Sequence, residues 1–520
     1  MTPAAPHRPP DVTLRRVFAA EVAAVIRHPL AGYLAATAAA LVILFARVPR
    51  PYVIPQLFAE DGLWSSLLHT RGFWHTAFHG RPESDYCIVG NVLLLELGRA
   101  WCGVFHGGDP LEYPRSLALV SYLFYAAVFS LPLLLFRGRL PTPYLVTLWL
   151  AACFLPLGIH DRSFSGFEIL GRVSNIGFAC LYAAFLLVWY RTSAAPGALG
   201  LVAVDLGLFG CVTTNPLAAA VLPAALWPAL RDLRQGTRSI AAVARDPAVV
   251  SLTLLVAVSV GVCGLPNPWK IRPREPLPAL TPATVVEVGL ARSTLYPLLW
   301  PVYRKLTTGV SLAALALVAA AVGRFGLPRH RALYGGGAAL LAVTAAVLVV
   351  FRPELALHIG GYRGTFPDRY FFGQNLVGCA LLTAFAADVG ERLRGRGWLR
   401  HLPVAALAAL VAAAVVHEPP WRLAPSQCLR PEGRLFARRA ARAVAEGRFV
   451  DEKMRDDPDG RFVAIPNPEG TPKRFVFPRA ALERAVVSRG RAAVGGDRDR
   501  LVTVGAEAVV ADRPPARESR

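Results

Sequence analysis

The sequence predicts an all-α polytopic membrane protein with about eleven transmembrane helices. Its 520 residues have a mean hydropathy of +0.42, and 54% of them are hydrophobic, which excludes an ordinary soluble protein. The apolar residues fall in separate blocks of roughly membrane length. Because a bilayer core offers no water to satisfy backbone N–H and C=O groups, blocks of this length are expected to be helices.

The eleven predicted spans are 30–46, 116–136, 141–159, 174–190, 198–214, 216–230, 247–264, 307–323, 332–351, 370–390 and 401–416. Their orientation follows from arginines in the short connections, which concentrate on the cytoplasmic side of membrane proteins. With the N-terminus inside, the short Arg-rich connections all fall on one side. They hold Arg137, Arg139, Arg191, Arg231, Arg234, Arg238, Arg245, Arg324, Arg329, Arg331, Arg392, Arg394, Arg396 and Arg400.

This orientation divides the chain into a cytoplasmic segment 1–29, a transmembrane domain 30–416 and an extracytoplasmic tail 417–520. The apolar run 88–102 is predicted to be a helix lying at the outer interface, because a further span there would invert every later loop. The predicted outer segments are 47–115, 160–173, 265–306 and 352–369. The first of these is the largest, and its Trp and Phe side chains are typical interfacial anchors.

The tail is predicted to be a small polar outer domain of mixed α and β structure with a disordered end. Helices are expected over 432–448 and 479–487, and strand-like runs cover 462–465 and 475–477. The turn-rich sequence Pro466-Asn467-Pro468-Glu469-Gly470 separates the two runs.

The formal net charge of +21 does not indicate nucleic-acid binding. Only Lys270, Lys305, Lys453 and Lys473 are lysines among the 56 basic residues, and many arginines lie in loops where orientation explains them. No aromatic-interleaved basic stripe or zinc-finger spacing is present, so nucleic acid is not an expected partner.

The eight cysteines form no CxxC pair, so the sequence contains no zinc or redox motif of that kind. Cys153, Cys180, Cys211, Cys263 and Cys379 are expected to be small core residues. A disulfide between Cys87 and Cys102 of the first outer segment stays open, because sequence alone cannot show that their Cα atoms approach. His75 and His79 are four residues apart, a spacing that suits either metal ligands or half-exposed surface residues.

The most informative feature is an adjacent carboxylate pair, Glu60 and Asp61, in the run Phe58-Ala59-Glu60-Asp61-Gly62. The pair follows the first predicted span by about a dozen residues, which places it well for chemistry on a lipid-linked substrate. The alternative is that both side chains simply face water, with Asp61 and Gly62 forming a turn.

One inside-to-outside span, followed by a large outer loop that opens with an acidic pair, resembles the C-type (GT-C) glycosyltransferases. The Glu-Asp-Gly sequence at 60–62 is similar to that of bacterial polytopic proteins of uncertain substrate. Three further runs also resemble that group: Gly171-Arg172-Val173-Ser174-Asn175, Thr214-Asn215-Pro216 and Asp368-Arg369-Tyr370. The resemblance covers residues 30–416. It implies a GT-C-like fold and transfer of a hexosyl or pentosyl group from a polyprenyl-phosphate sugar to a cell-envelope glycan or protein.

Transfer from such a donor requires a base for the acceptor hydroxyl and positive charge for the departing phosphate. The resemblance implies Asp61 as the base, with Glu60 orienting it or holding a divalent metal. Arginine binds phosphate oxygens through its planar fork, which makes outer arginines the candidate phosphate ligands. The candidate substrate-binding residues are Arg172, Arg363, Arg369, Glu168, Asn175 and Asn215. Lipid headgroup contact for the arginines, and local capping or turn formation for the asparagines, are the alternatives.

Two other classes of function stay open. Asp205 lies within an apolar run, and a lone intramembrane carboxylate suits a proton-coupled transporter or a flippase of envelope precursors. No second half with paired broken helices accompanies it, although such a half is typical of transporters. An outer-face polysaccharide polymerase or ligase is the other alternative. That class is expected to depend on a large late loop, whereas the largest loop here is the first.

Overall fold

The computed structural model describes residues 29–53, 55, 57, 59–80, 87–155, 169–194, 196–263, 281–351, 369–417, 440–441, 443–444, 462–466 and 474–493. The predicted site residues Glu168 and Arg363 lie outside these ranges. The longer described helices are α1 (Pro29–Arg47), α2 (Ala59–His79), α3 (Val89–His106), α4 (Tyr113–Leu135), α5 (Thr142–Phe154), α6 (Ile176–Ala194), α7 (Ala198–Val212), α8 (Pro247–Cys263), α9 (Thr308–Phe325), α10 (Arg331–Phe351), α11 (Arg369–Arg392), α12 (Leu402–His417) and α13 (Arg479–Ala493).

Short helical elements connect these helices. Four-residue helices cover Arg50–Val53, Leu222–Ala225 and Tyr296–Leu299, and other short α-helices cover Trp227–Arg234, Ile240–Ala244 and Pro282–Thr284. The 3₁₀-helices are Val173–Asn175, Pro216–Val221, Trp300–Lys305, Pro328–His330 and Gly397–His401, and a π-helix covers Val285–Leu295. The described sheet consists of antiparallel strands β1 (Phe462–Pro466) and β2 (Arg474–Pro478), with Phe462 opposite Pro478.

Apolar helices of membrane length confirm the prediction of an all-α membrane protein. Within the described ranges, seven helical segments are long and apolar enough to cross a bilayer. They are Pro29–Arg47, Tyr113–Leu135, Val173–Ala194, Thr308–Phe325, Pro328–Val350, Arg369–Arg392 and Gly397–Val416. Helices α5, α7 and α8 are apolar but shorter, at 13, 15 and 17 residues. These ten segments coincide with ten of the eleven predicted spans.

The one remaining predicted span, 216–230, is not a single helix. A 3₁₀-helix, a four-residue α-helix and a third short helix replace it. Each of them carries a proline at its first or second position, at Pro216, Pro223 and Pro228. Proline favours helix starts and removes a backbone donor, so three prolines within thirteen residues divide the run into separate starts.

Burial separates central helices from peripheral ones. In the most apolar 18-residue stretch of each segment, 78% of the residues are buried for α6 and α11 and 61% for α4. The corresponding share is 6% for α9 and α12. A helix that is apolar all round and yet uncovered by protein is suited to lipid contact. The packed centre therefore consists of α4, α6 and α11, with α5 against α11 and α1 against α4.

Helices α2 and α3, which precede α4, form a second packing unit. The predicted helix at 88–102 is confirmed as α3, which packs on α4 and is not among the seven membrane-length segments. Helix α2 bends at Gly72, whose φ of 80° and ψ of 179° are not helical. That positive φ is easily reached only by glycine, which explains the break in an otherwise continuous helix.

The C-terminal tail packs on α2 rather than lying apart from the membrane domain. Strand β2 contacts α2, and Phe477, Leu482 and Ala485 share one buried cluster with Trp64 and Leu68. The strands predicted at 462–465 and 475–477 and the helix predicted at 479–487 are confirmed. The helix predicted over 432–448 is described only at residues 440, 441, 443 and 444, which are helical.

The structure shows whether Cys87 and Cys102 of the first outer segment form a disulfide. Cys102 is a free, buried thiol, whereas Cys87 is in a disulfide whose partner lies outside the described side chains. The Cys87–Cys102 pair is therefore not bridged. The predicted core cysteines Cys153, Cys180, Cys211 and Cys379 are free and buried, as expected of small apolar core residues.

Candidate functional site

The carboxylate of Asp61 is buried at the start of α2. Asp61 is 2% exposed, whereas the adjacent Glu60 is half-buried, so the two acidic side chains occupy different environments. The Oδ1 atom of Asp61 accepts a hydrogen bond of 2.6 Å from the backbone N–H of Ser174. Asp61 is thus directed toward the turn that begins the membrane-length segment Val173–Ala194.

The turn that carries Ser174 has a conformation set by glycine. Gly171 has a φ of +76°, and a Cβ atom there would lie 2.5 Å from Cβ of Pro51. Both the left-handed backbone and the lack of space favour glycine at this position. The turn is also held from α3, where Nδ2 of Asn91 donates a 2.6 Å hydrogen bond to the carbonyl of Val173.

Burial and a neighbouring guanidinium act against each other on the pKa of Asp61. Burial raises it to about 6, while the charge of Arg172 and the hydrogen bond from Ser174 lower it and the charge of Glu60 raises it. Arg172 is itself only 4% exposed. A carboxylate with a pKa near neutral can both accept and return a proton at ordinary pH, which suits general-base work.

The two predicted asparagines lie on either side of the first turn of α6. The carbonyl of Asn175 accepts a 2.9 Å hydrogen bond from the hydroxyl of Tyr125. Nδ2 of Asn215 donates to the carbonyl of Gly177 at 2.8 Å, and its Oδ1 accepts from the N–H of Leu217 at 3.1 Å. Asn215 therefore caps the 3₁₀-helix that follows it, the local role considered as the alternative to substrate binding.

Arg369 begins α11 beside the same turn of α6. Its guanidinium lies 5.2 Å from the centre of the Tyr370 ring, and that ring meets the edge of Phe178 at 5.5 Å. Ser174 and Phe178 are four residues apart, or about 6–8 Å along a helix axis. The described motif residues at 61, 172, 175, 215 and 369 thus gather at one end of the helix bundle.

Arg292 is a further charged residue at this end that the sequence analysis did not single out. It is 2% exposed within the π-helix, with its guanidinium 3.7 Å from the ring centre of Tyr296, 5.5 Å from that of Tyr303 and 5.8 Å from that of Phe371. The aromatic residues that follow Arg292 in the chain were the sequence feature that could have drawn attention to it. The π-helical geometry, which recurs at functional sites, has no such signature in a single sequence.

An aromatic contact brings the tail against the acidic helix. Phe477 lies 5.6 Å from the ring of His69 and 6.2 Å from that of Tyr113, measured between ring centres. The hydroxyl groups of Tyr113 and Ser65 share a 3.2 Å hydrogen bond, and Ser65 lies one helical turn after Asp61. Burial lowers the pKa of His69 to about 4, so this imidazole is neutral at ordinary pH.

Asp205 is not a lone intramembrane carboxylate. Its two oxygens lie 3.1 and 3.4 Å from the guanidinium of Arg191, which also donates to the carbonyl of Ala248 and the hydroxyl of Ser251. Arg191 is 6% exposed and helical, although the sequence analysis had placed it in an inner loop. The pair ties α6, α7 and α8 together.

His75 and His79 were the histidines whose spacing suits metal ligands. In the part of the chain that the structure describes, no group of three or more His, Cys, Asp and Glu side chains is arranged to hold a metal ion. His75 and His79 are both exposed, with ring centres 5.1 Å apart. They have the surface character that was one of the two expectations for them.

Comparisons with models of known protein families, with curated proteins and with solved structures found no match to this chain.

Proposed function

We propose that this protein is a membrane glycosyltransferase that moves a hexosyl or pentosyl group from a polyprenyl-phosphate donor to a cell-envelope glycan or protein at the outer face. The observation that carries the proposal is the buried Asp61 carboxylate, with a pKa near 6, beside Arg172 and at the end of a membrane-length helix. Asp61 supplies a base and Arg172 a cation at the end of a helix that is long enough to span a membrane, where a lipid-linked phosphate would be presented.

In the proposed reaction the Asp61 carboxylate removes the proton from an acceptor hydroxyl. The hydroxyl oxygen then forms a bond to the anomeric carbon of the donor sugar. The bond from that carbon to the phosphate oxygen breaks, and the polyprenyl phosphate leaves with the electron pair. Asp61 holds the proton until solvent accepts it. General-base assistance of this kind contributes about 10²–10⁴-fold in rate.

The arginines have the complementary task of stabilising charge on the departing phosphate. Arg172 is buried beside Asp61, and Arg369 stands on the Tyr370 ring next to the first turn of α6. A guanidinium can donate two parallel hydrogen bonds to one phosphate. We assign Arg172 and Arg369 to the donor phosphate, and Glu60 to orienting Asp61 or contacting the acceptor.

One observation supports an outer location for this end of the bundle, and a second places the tail on the same side as Asp61. Cys87 is in a disulfide, and disulfides persist in oxidising compartments. Helix α2 also packs on the tail, which keeps Asp61 and the tail on the same side. Both agree with the orientation derived from the short Arg-rich connections.

The transporter alternative depended on a lone carboxylate at position 205. Because Asp205 forms an ion pair with Arg191, its charge already has a structural partner. A polysaccharide polymerase or ligase has no observation in its favour beyond the shared membrane location.

A deletion strain complemented with variants tests the proposal. We expect lipid-linked sugars to accumulate in the deletion strain and in the strain carrying Arg369→Lys, because Lys keeps the charge but loses the bidentate fork. Wild-type protein and the control Arg324→Lys, an exposed arginine at the end of α9, should restore normal levels. Immunoblotting of membranes checks that all variants are inserted equally. Unchanged lipid-linked pools in the deletion strain, or normal pools in the strain that carries Arg369→Lys, would contradict the proposal.

A further inference from the structure

A cavity of about 140 Å³ lies at the far end of α6 from Asp61. Ser193 of α6 lines this cavity, whereas Ser174 at the other end of the segment binds Asp61. Nineteen residues separate the two serines, which corresponds to about 28 Å of helix, close to the thickness of a bilayer core. The cavity and the acidic site therefore lie near opposite faces of the membrane that α6 is long enough to cross.

The walls of the cavity are amphipathic. Phe185, Val188 and Leu333 contribute apolar surface, and the indoles of Trp189 and Trp227 stand at the same level. Trp189 is 5% exposed and Trp227 is 47% exposed, so the aromatic lining continues from the protein interior to its surface. Tryptophans in this position are typical of the boundary between acyl chains and headgroups.

Two arginines, Arg231 and Arg329, bring positive charge to the lining. Thr192, Ser193 and His330 also contribute polar atoms, and none of the described lining residues is acidic. The two arginines and His330 each contact one carboxylate outside the lining. The guanidinium of Arg231 lies 3.3 Å from Asp232, Arg329 pairs with Glu391, and His330 contacts Asp388.

These existing contacts leave the arginines able to bind an anion. Both arginine side chains are 57% exposed. A guanidinium carries five N–H donors, more than one carboxylate uses. The spare donors of Arg231 and Arg329 therefore remain available to a phosphate at the cavity mouth.

We propose that this cavity binds the phosphate-bearing headgroup of an anionic phospholipid from the leaflet opposite the acidic site. A volume of 140 Å³ is below the roughly 300 Å³ at which ordinary small-molecule pockets begin, so it accommodates a headgroup and not a whole lipid. The acyl chains remain in the bilayer beside the apolar helices. The two arginines select negative charge, as basic pockets at membrane faces do.

Native mass spectrometry of the full-length protein in detergent tests this site. The probes are dioleoyl phosphatidylglycerol, dioleoyl phosphatidylcholine and inorganic phosphate, each titrated separately. We expect one phosphatidylglycerol to be retained, with at least tenfold preference over phosphatidylcholine. The double variant Arg231→Gln/Arg329→Gln should lose that preference. Arg234→Gln, an exposed arginine on the same short helix that does not line the cavity, should keep it.

Each remaining outcome overturns the proposal. Equal retention of phosphatidylglycerol by the double variant and the wild type would show that the cavity arginines do not hold it. Equal binding of phosphatidylcholine would remove the selection for negative charge. Arginine-dependent binding of inorganic phosphate as tightly as phosphatidylglycerol would assign the site to a soluble anion. The single variant Arg231→Gln, at an exposed position, provides the same comparison if the double variant does not fold.

Discussion

At the scale of single residues, Asp61 combines burial with two stabilising partners. A carboxylate removed from water prefers its neutral form, and this raises its pKa. The N–H of Ser174 and the charge of Arg172 oppose that effect without cancelling it, which leaves the pKa near 6. Adjacent Glu60 remains half-buried, so neighbouring carboxylates in the sequence have different chemical roles available to them.

If the protein transfers sugars as proposed, the pH dependence of that transfer follows from this pKa. Below about pH 6 the Asp61 carboxyl holds its proton and cannot act as a base, so activity should rise as pH increases through about 6. Asp61→Asn should lower turnover by about 10²–10⁴-fold while donor binding persists. Both are measured by initial rates of transfer from a polyprenyl-phosphate sugar between pH 5 and 8.

Glu96→Gln is the matched control for this prediction, because Glu96 lies on neighbouring α3 and pairs with exposed Arg99. The control should keep both the rate and the rise near pH 6. Wild-type turnover in correctly folded Asp61→Asn would remove this residue from the mechanism.

At the scale of secondary-structure elements, the Arg191–Asp205 pair fastens three helices. The guanidinium of Arg191 contacts α7 through Asp205 and α8 through Ala248 and Ser251. The Arg191 side chain is 3% exposed and that of Asp205 is 13% exposed. Removing one member leaves the other charge buried and unpaired, which costs more than the pair itself contributes.

Substitution of this pair should therefore be strongly non-additive. Asp205→Ala alone is expected to destabilise the protein by about 3–5 kcal/mol, whereas Arg191→Leu/Asp205→Leu should lie close to the wild type. Thermal unfolding in detergent, followed by circular dichroism, provides the comparison. If the double variant loses as much stability as Asp205→Ala does, the pair is not coupled in the way described.

The contact between the tail and α2 is the second feature at this scale. Phe477 is 1% exposed between His69 and Tyr113, and Leu482 of α13 joins the same cluster. A polar tail is thereby attached to the membrane domain through a few large apolar side chains. Most of the free energy that holds it should reside in those side chains.

Phe477→Ala should release the tail from α2. Truncation of a buried phenylalanine costs about 3 kcal/mol or more, which raises the detached population about 100-fold. Limited proteolysis of the purified protein measures this as faster loss of a C-terminal fragment. Val487→Ala on α13, where Val487 is 47% exposed, should be cleaved at the wild-type rate. Equal cleavage of both variants would mean that Phe477 does not secure the tail.

At the scale of the whole molecule, the bundle has two chemically different ends. One end holds Asp61 of α2, Arg172 and Arg369, and the tail packs on the same α2. The other holds the cavity with Arg231 and Arg329. Helices α6 and α11 run through the packed centre between these ends, while few residues of α9 and α12 are fully buried.

Accessibility of introduced cysteines should distinguish the two ends. Trp74→Cys and Val487→Cys, both at exposed positions, are expected to react with a membrane-impermeant maleimide in intact cells. Arg234→Cys and Arg394→Cys should react only after permeabilisation. The free native cysteines Cys102, Cys153, Cys180, Cys211 and Cys379 are buried and should contribute little background. Labelling of positions 234 and 487 from the same side would overturn the orientation.

The sequence by itself determined the class of fold and most of its helices. Apolar blocks of membrane length are expected to become helices, because a helix satisfies its backbone hydrogen bonds within its own segment. A shorter apolar run located α3, and two strand-like runs around the turn-rich residues 466–470 located the strands of the tail. The pattern of apolar blocks failed at 216–230, where hydropathy is high but Pro216, Pro223 and Pro228 interrupt the helix. Mean hydropathy averages over a stretch of residues, so it does not register where individual prolines end one helix and begin another.

Only the tertiary structure decided which distant residues meet. Asp61 and Ser174 are 113 positions apart, and Arg191 reaches Asp205 across a helix–helix contact. Hydropathy could not show that Asp61 is buried, that Asp205 is paired or that Phe477 packs on the acidic helix. Those properties depend on side chains brought together from separate elements, and a single chain's local pattern contains no record of its long-range partners.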